Sequence, residues 1–463
     1  MIELLARAAA ADPHRIAVVT PEETATYGDL LAGASAVAAE LAARGIRRFA
    51  VVEPDAAWVL RLLAGAAAVG AEPCQYQPDI EAAQFAEQAA ALGHEVVVTR
   101  RDDLAGPDTL RPEDLLVDPP SVSDAIGSLR PTDELQPVMI RTTGTTGLPK
   151  AARHDWGTLG RTVRDAAPRP EQRWLLAYGP QQFAGIQVLQ HVVAIGGTLV
   201  APFPRQPRDG LDAMLHHGVT CVSATPTYWR FLLAEARSRG VAPPPLTQIT
   251  LGGEASAPDL LVDLETAFPD ARISQVYAST EFGSIASVRD GRPGLSVASL
   301  WSDDNPDALL RVSDGQLWVR AGTGMLGYVG SGAEQVETVD GWVPTGDLAE
   351  VVDDRVLFRG RSSEVINVGG VKVHPLPVEE RIAALPVVSM ARVFGRPNRL
   401  TGAIVAAEVV PLDDTVDGDD LKRQVRAAVA DLPPAWRPRS IAVVETLETK
   451  GTKTTRGMAD PES

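Results

Sequence analysis

Apolar helical periods and short β-prone runs take turns from Leu30 to Tyr277, and this alternation constrains the fold more tightly than any single residue. Leu30, Ala34, Val37 and Leu41 recur at helical spacing, Gly45 closes the helix, and Phe49-Ala50-Val51-Val52 follows as a strand. The pattern continues with a buried helix over 58–69 and strands over 95–99 and 138–142. Further strands are predicted at 174–178, 198–201, 219–224, 248–251 and 273–277. Such alternation argues for an α/β fold with layered, mostly parallel sheets.

At 463 residues the chain exceeds one ordinary core, so two or more domains are expected. Between 101 and 131 Asp and Pro accumulate with weak periodicity, which reads as a long surface connection. From Leu309 the texture changes to short strands and turns at 317–320, 341–343 and 355–358, and helices return at 378–384 and 419–432. The boundary is placed near 360–363, giving a large α/β N-terminal domain, 1–361, and a small mobile α+β domain, 362–463.

Charge and cysteine usage narrow the function. Lys and Arg number 43 against 60 Asp and Glu, a net of −17, so a basic nucleic-acid footprint is absent and a phosphate ligand needs a locally positive pocket. Cys74 and Cys221 lie far apart with no histidine cluster nearby, which disfavours a disulfide framework or a zinc site. The first residues lack the basic and apolar regions of a signal peptide, and no apolar run is long enough to span a bilayer. A soluble cytoplasmic protein is the expectation.

One such positive place stands out. The loop Thr142-Thr143-Gly144-Thr145-Thr146-Gly147-Leu148-Pro149-Lys150 leaves the β-prone run 137–140. Its glycines let backbone N–H groups approach an anion, its hydroxyls add donors and Lys150 adds charge, which is chemistry for holding a triphosphate. The spacing is not the G-x-x-x-x-G-K-[ST] of a P-loop, and a plain surface loop is the bland alternative. Downstream, Tyr277-Ala278-Ser279-Thr280-Glu281 ends a strand in a hydroxyl and a carboxylate, so Glu281 is placed like a Mg²⁺ ligand, although Thr followed by an acid also reads as a helix N-cap. Thr345-Gly346-Asp347 sets one carboxylate after a turn, where it can accept both ribose hydroxyls or simply close an Asx-turn. Arg361, in Arg359-Gly360-Arg361, suits sugar or phosphate oxygens, or a structural salt bridge. The end, Thr449-Lys450-Gly451-Thr452-Lys453-Thr454-Thr455-Arg456, is basic in an acidic chain.

Taken in order, these motifs resemble the adenylate-forming superfamily of acyl- and aryl-CoA ligases, peptide-synthetase adenylation domains and luciferases, from Thr26-Tyr27-Gly28-Asp29-Leu30 to Arg456. The resemblance implies an enzyme that joins a carboxylic acid to ATP with Mg²⁺, releases pyrophosphate, and transfers the acyl group to the thiol of CoA or of a carrier protein's phosphopantetheine. By motif match, the loop 142–150 grips the β- and γ-phosphates, Thr280 and Glu281 serve the α-phosphate and Mg²⁺, and Asp347 and Arg361 bind the ribose. Gly252, Gly253, Glu254 and Ala255 lie along adenine with Tyr277 stacking near it, and His154 matches a histidine often seen at its place. The catalytic lysine falls on Lys453, which keeps the family's distance to Arg456; Lys450 is the alternative. Ser363 stands at the hinge, where the family commonly has Asp or Lys. Gly369, Gly370, Lys372, Pro375 and Glu379 fit the stretch along the thioester-forming face, or a plain turn.

The acid pocket implied by the match draws on Phe183, Ala184, Gly185, Ser223, Tyr228, Gly252 and Ala278, with Gln182 or Ser223 available to a ring substituent. Amino-acid-activating relatives have Phe-Asp where Phe183-Ala184 stands, so an α-amino acid would bury an unpaired ammonium here. Aromatic lining by Phe183, Tyr228, Trp229 and Tyr277 favours an aryl acid, with ordinary core packing as the alternative. An aliphatic acid, direct capture of the adenylate by an amine or hydroxyl, and a non-catalytic nucleotide-binding relative remain the competing readings.

Overall fold

A computed structural model describes residues 1–128, 134–142, 150–330, 338–412 and 415–447, with the backbone of 449–450 and 453–454. Two sheets dominate it. The first has eight strands, in the spatial order Gly283–Val288, Arg272–Ser279, Gln248–Gly252, Cys221–Ala224, Arg173–Leu176, Thr198–Val200, Ile16–Val19 and Thr24–Thr26. Its inner strands run parallel and only the outermost pair at each edge is antiparallel. The second has seven strands, Gly327–Gly330, Lys150–Asp155, Pro137–Arg141, Glu72–Gln75, Arg48–Val52, Val96–Thr99 and Asp108–Leu110, parallel from Pro137–Arg141 onward.

Helices Tyr27–Ala43, Ala56–Ala68 and Phe183–Ile195 share one core cluster with strand residues of both sheets, among them Val18, Trp174, Val138 and Ile140. Strands covered on both faces read as continuous apolar runs, which is why 49–52 and 96–98 carry no alternation. Helix Tyr27–Ala43 starts on a capping box, Thr26 with Asp29. It approaches helix Ala56–Ala68 so closely that a Cβ on Gly65 would stand 2.7 Å from the Ala34 carbonyl oxygen.

A third, antiparallel sheet of five strands, Leu295–Ser296, Arg355–Arg361, Trp342–Val352, Gln316–Arg320 and Leu310–Ser313, closes the N-terminal part. Sheet membership then changes: after a short 3₁₀ turn, Ser362–Glu364, the strand Ile366–Val368 belongs to a separate sheet with Val371–Val373, Gly402–Pro411, Val388–Asn398 and Ser440–Val443. Helices Pro375–Ala383 and Gly418–Ala428 complete its core with Val378, Ile382, Leu421 and Val425.

The α/β class holds, and the segment 101–131 departs from the expected bare connection. It contributes the edge strand Asp108–Leu110, a 3₁₀ turn Pro112–Leu115 and a helix Val122–Ser128, and it buries Leu115 and Ala125 completely. Its few apolar residues are spaced too widely to register as a period, yet each fills a gap under the neighbouring helices. Cys74 and Cys221 are buried free thiols. Among the described residues no helix is long and apolar enough to cross a membrane.

Candidate active site

The strand Arg272–Ser279 sits deep in the first sheet at Ile273–Gln275 and becomes half-exposed from Tyr277 on, so its end delivers side chains to a cleft. Residues 280–282 form a tight turn into Gly283–Val288, with the Phe282 N–H donating to Ser279 Oγ at 3.1 Å. Thr280 and Glu281 thus lie in a β-turn, and the helix N-cap alternative falls. The turn is clasped from the other side: Met325 N–H donates to the Glu281 carbonyl at 2.8 Å, and a Cβ on Gly324 would stand 2.0 Å from that same oxygen.

The Glu281 carboxylate accepts a hydrogen bond from Tyr328 Oη at 2.9 Å, and Lys150 Nζ stands 4.3 Å above the Tyr328 ring. Strand pairing explains the meeting. Gly327–Gly330 runs antiparallel to Lys150–Asp155 with Tyr328 opposite Ala152, so Tyr328 shares a face with Lys150 and reaches from it to Glu281. Tyr328 belonged to no motif; a single aromatic between glycines gives the sequence no signal. Burial and the neighbouring Glu281 charge both hold its phenol protonated.

Opposite this group, Tyr277 Oη donates to Asp347 Oδ2 at 2.7 Å, and Arg361 Nε lies 3.1 Å from Asp347 Oδ1. Asp347 and Arg361 are cross-strand partners in the third sheet, which fixes the pair. Asp347 is a strand residue whose N–H donates to Thr345 Oγ1 at 3.1 Å, so the local turn is closed by the threonine hydroxyl and not by an Asx-turn, while the carboxylate goes to Tyr277 and Arg361. One face of Tyr277 is already covered by Phe358, with ring centroids 5.3 Å apart and planes within 23°. That face is therefore not available to stack on a base. The Asp347 charge raises the Arg361 pKa further, keeping the guanidinium charged.

His154 is buried, and its Nε2 lies 2.7 Å from the Thr280 carbonyl oxygen. Burial holds its pKa at about 4, so the ring is neutral and its contact with a carbonyl makes Nε2 the protonated nitrogen. His154, Leu159, Phe183, Phe282, Gly283 and Gly324 line a narrow slot next to the turn. Tyr178 Oη donates to the Gly252 carbonyl at 3.0 Å and bonds the Ser223 hydroxyl, tying two predicted pocket residues together. Ala184 and Ala278 are half-buried against the main core. The Glu254 carboxylate accepts the Thr227 N–H at 3.0 Å, which ties the 253–255 segment to the start of helix Pro226–Ser238.

Two expected pocket residues have other work. Tyr228 is 3% exposed and lies in the cluster of Leu211, Leu232 and Leu251. Its hydroxyl fills the space over Gly210, where a Cβ would come within 2.0 Å of it, and approaches the Gln206 carbonyl at 3.5 Å. Trp229 likewise stacks edge-on against Phe268 in the core. Gly185 is set by packing: a Cβ there would meet the Gly179 carbonyl oxygen at 2.1 Å, where the helix seats on the preceding turn.

Thr142 is half-buried with an Oγ1 that finds no partner among the described residues. The rest of its loop, Thr143, Gly144, Thr145, Thr146 and Gly147, lies outside the described residues. Lys453 is described as backbone: Lys453–Thr454 pairs with Thr449–Lys450, and that hairpin strand lies against helix Pro226–Ser238. Ser363 is exposed in the 3₁₀ turn between the two sheet systems, one residue from Ser362, whose Oγ faces Gly346.

Residues 5–329 match the family model for AMP-binding enzymes, and residues 377–454 match that of the AMP-binding enzyme C-terminal domain. The chain belongs to the AMP-binding enzymes. This AMP-binding enzyme is 28% identical to the 4-chlorobenzoate–CoA ligase of an Arthrobacter species, over 96% of this chain and 91% of the relative. It is 28% identical, over 66% of this chain and 62% of the relative, to a medium/long-chain-fatty-acid–acyl-carrier-protein ligase of Mycobacterium tuberculosis. It shares its fold with an anthranilate CoA ligase solved in complex with anthranoyl-AMP, at a TM-score of 0.79 and 20% identity over 98% of this chain and 95% of the other. An o-succinylbenzoate CoA synthetase of Bacillus subtilis, bound to its acyl-adenylate, has the same fold at a TM-score of 0.74 and 20% identity, over 97% and 95%.

Proposed function

We propose that this AMP-binding enzyme adenylates a carboxylic acid with ATP and Mg²⁺ and then passes the acyl group to a thiol. The observation that carries the reading is the convergence of two charge-matched groups, Lys150–Tyr328–Glu281 and Tyr277–Asp347–Arg361, on the end of one strand. In the first step an oxygen of the acid attacks the α-phosphorus, the bond to the bridging oxygen breaks and pyrophosphate leaves. In the second a thiolate sulfur attacks the acyl carbonyl and AMP leaves.

The residues fit the nucleotide. The Thr142 hydroxyl, without a partner among the described residues, suits a phosphate oxygen at the mouth of the loop, and the Asp347 carboxylate, oriented by two partners, suits the ribose hydroxyls. Mg²⁺ would rest on Glu281 and on the substrate's phosphates. Bound there, Mg²⁺ would neutralise charge on the phosphates. Tyr328 holds Glu281 by one oxygen, and the other has no hydrogen-bond partner among the described residues and would take that ion. Lys453 is assigned to the developing charge at the α-phosphate and Lys150 to the leaving pyrophosphate. Ser363, at the junction, serves as the hinge between domains 1–361 and 362–463.

An aryl acid is the favoured substrate class. The slot beside the turn is narrow and walled by Leu159, Phe183 and Phe282, and the 28%-identical relative is a 4-chlorobenzoate–CoA ligase. Acid-dependent exchange of labelled pyrophosphate into ATP, across a panel of aryl and aliphatic acids, tests the reading. Lys453→Ala should abolish exchange yet retain thioester formation from a preformed acyl-adenylate, whereas Lys150→Ala should chiefly raise the KM for ATP. Exchange that no acid supports above the Lys453→Ala background would sink the assignment.

A further inference from the structure

The slot beside the turn 280–282 changes character from its inner to its outer end. Inside stand Leu159, Phe183 and the neutral His154, all buried, and the Phe183 ring comes within 3.9 Å of where a Cβ on Gly283 would lie. Outside, the polar residues Thr158, Arg161, Thr162 and Gln187 take over, with Arg161 and Thr162 exposed. Gln187 follows Phe183 by four positions on helix Phe183–Ile195, so the two ends are one helical turn, about 5.4 Å, apart. Gln187 Nε2 donates to the Leu159 carbonyl at 3.2 Å and joins that helix to the 156–162 segment across the slot. Among the described residues Arg161 is the one charged group that lines the slot, and it has no carboxylate or hydrogen-bond partner there. In a chain of net charge −17, exposed arginines such as Arg44, Arg292 and Arg381 each hold a carboxylate of the protein itself.

We propose that Arg161 is a specificity-determining residue, and that the acid activated here carries a second carboxylate at the end remote from the reacting one. The inference rests on the acid-activation reading above and names the substrate class within it. With the reacting carboxyl at the turn and the body of the acid between Leu159 and Phe183, a group one helical turn further out arrives beside the guanidinium and the two threonines. A guanidinium holds a carboxylate through two parallel N–H···O bonds, whereas it repels an ammonium and gains nothing from an alkyl tail. The mouth is open to solvent, so the second charge enters without the desolvation that a fully buried carboxylate suffers. Lys150 and Arg361 already stand on the nucleotide groups around Glu281 and Asp347, which leaves the cation at the far end of the slot to the acid.

The test measures pyrophosphate exchange with matched acids that differ only at the remote group: terephthalate, its monoamide and 4-(aminomethyl)benzoate as an aryl series, and adipate with its monoamide as an aliphatic pair. The expected result, in at least one series, is a kcat/KM at least about fivefold higher for the dicarboxylate than for its monoamide. The preference should lie in KM and shrink as salt is raised from about 50 to about 300 mM. In Arg161→Gln the ratio should fall to parity, in Arg161→Lys it should largely survive, and in Arg161→Glu the aminomethyl acid should overtake terephthalate. Each ratio compares two acids on one variant, so a residue with a merely structural role would move both acids together and leave the ratio unchanged. Parity in the parent in both series, or a preference that persists in Arg161→Gln, overturns the proposal. Absence of exchange with every acid overturns the underlying function instead.

Discussion

Glu281 owes its orientation to one phenol. Tyr328 Oη gives it a hydrogen bond at 2.9 Å, and the same ring receives Lys150 on its face. A hydrogen bond to an ionised group contributes about 1.5–3 kcal/mol, and 1.4 kcal/mol is a factor of ten. Tyr328→Phe keeps the ring under Lys150 and removes only the hydroxyl. In pyrophosphate exchange it should lower kcat/KM for MgATP about tenfold or more, with a thermal midpoint within about 2 °C of the parent. An equal loss in stability and activity would mean that the contact is structural only. The order and spacing of their motifs singled out Glu281, Asp347 and Arg361. They passed over Tyr328 and Phe358, which act through neighbours 47 or more residues away and leave no local pattern. They also placed Tyr228 in the cleft, since an aromatic looks the same in sequence whether it lines a pocket or plugs the space over Gly210.

The turn 280–282 is held by a contact between elements. Its Glu281 carbonyl lies so near Gly324 that a methyl there would overlap it at 2.0 Å, and both atoms belong to backbone, so neither can rotate away. Overpacking of this kind costs about 1–3 kcal/mol. Gly324→Ala should therefore reduce stability by an amount in that range, read by denaturant unfolding. It should cut pyrophosphate exchange by more than about tenfold, because relief of the overlap moves Glu281. Exchange at the parent rate would show that the turn position is not critical. Helices and inner strands were legible because burial on one stripe or on both faces writes a period or an apolar run into the sequence. The segment 101–131 was not, since its strand lies at a sheet edge and its burial rests on isolated residues such as Leu115 and Ala125.

Across the whole molecule, buried titratable groups set the response to pH. Glu53 is fully buried; burial raises its pKa from 4.5 to about 7 despite Arg100 at 3.1 and 3.2 Å. Between those values the folded state holds a proton that the unfolded state has lost, so this group's contribution to stability falls as pH rises from 4.5 to 7. His94, His154 and His191 act oppositely: burial lowers each from 6.5 to about 4, so their contribution is present above 6.5 and is lost as pH falls through that window. Glu53→Gln should be increasingly stabilising relative to the parent from pH 4.5 to 7, reaching on the order of 3 kcal/mol and then levelling. Denaturant unfolding at a series of pH values reads it, and a gap independent of pH would refute the assignment. By itself the sequence determined the alternation of helices and strands, the acidic surface and the ordered series of phosphate, carboxylate and guanidinium motifs, all of which are local in the chain. Only the tertiary structure decided that Lys150 meets Glu281 through Tyr328, that Phe358 occupies one face of Tyr277, and that Arg161 stands at the outer end of the slot. The first two of these contacts join residues from different sheets, and the packing that brings them together is a property no segment encodes alone.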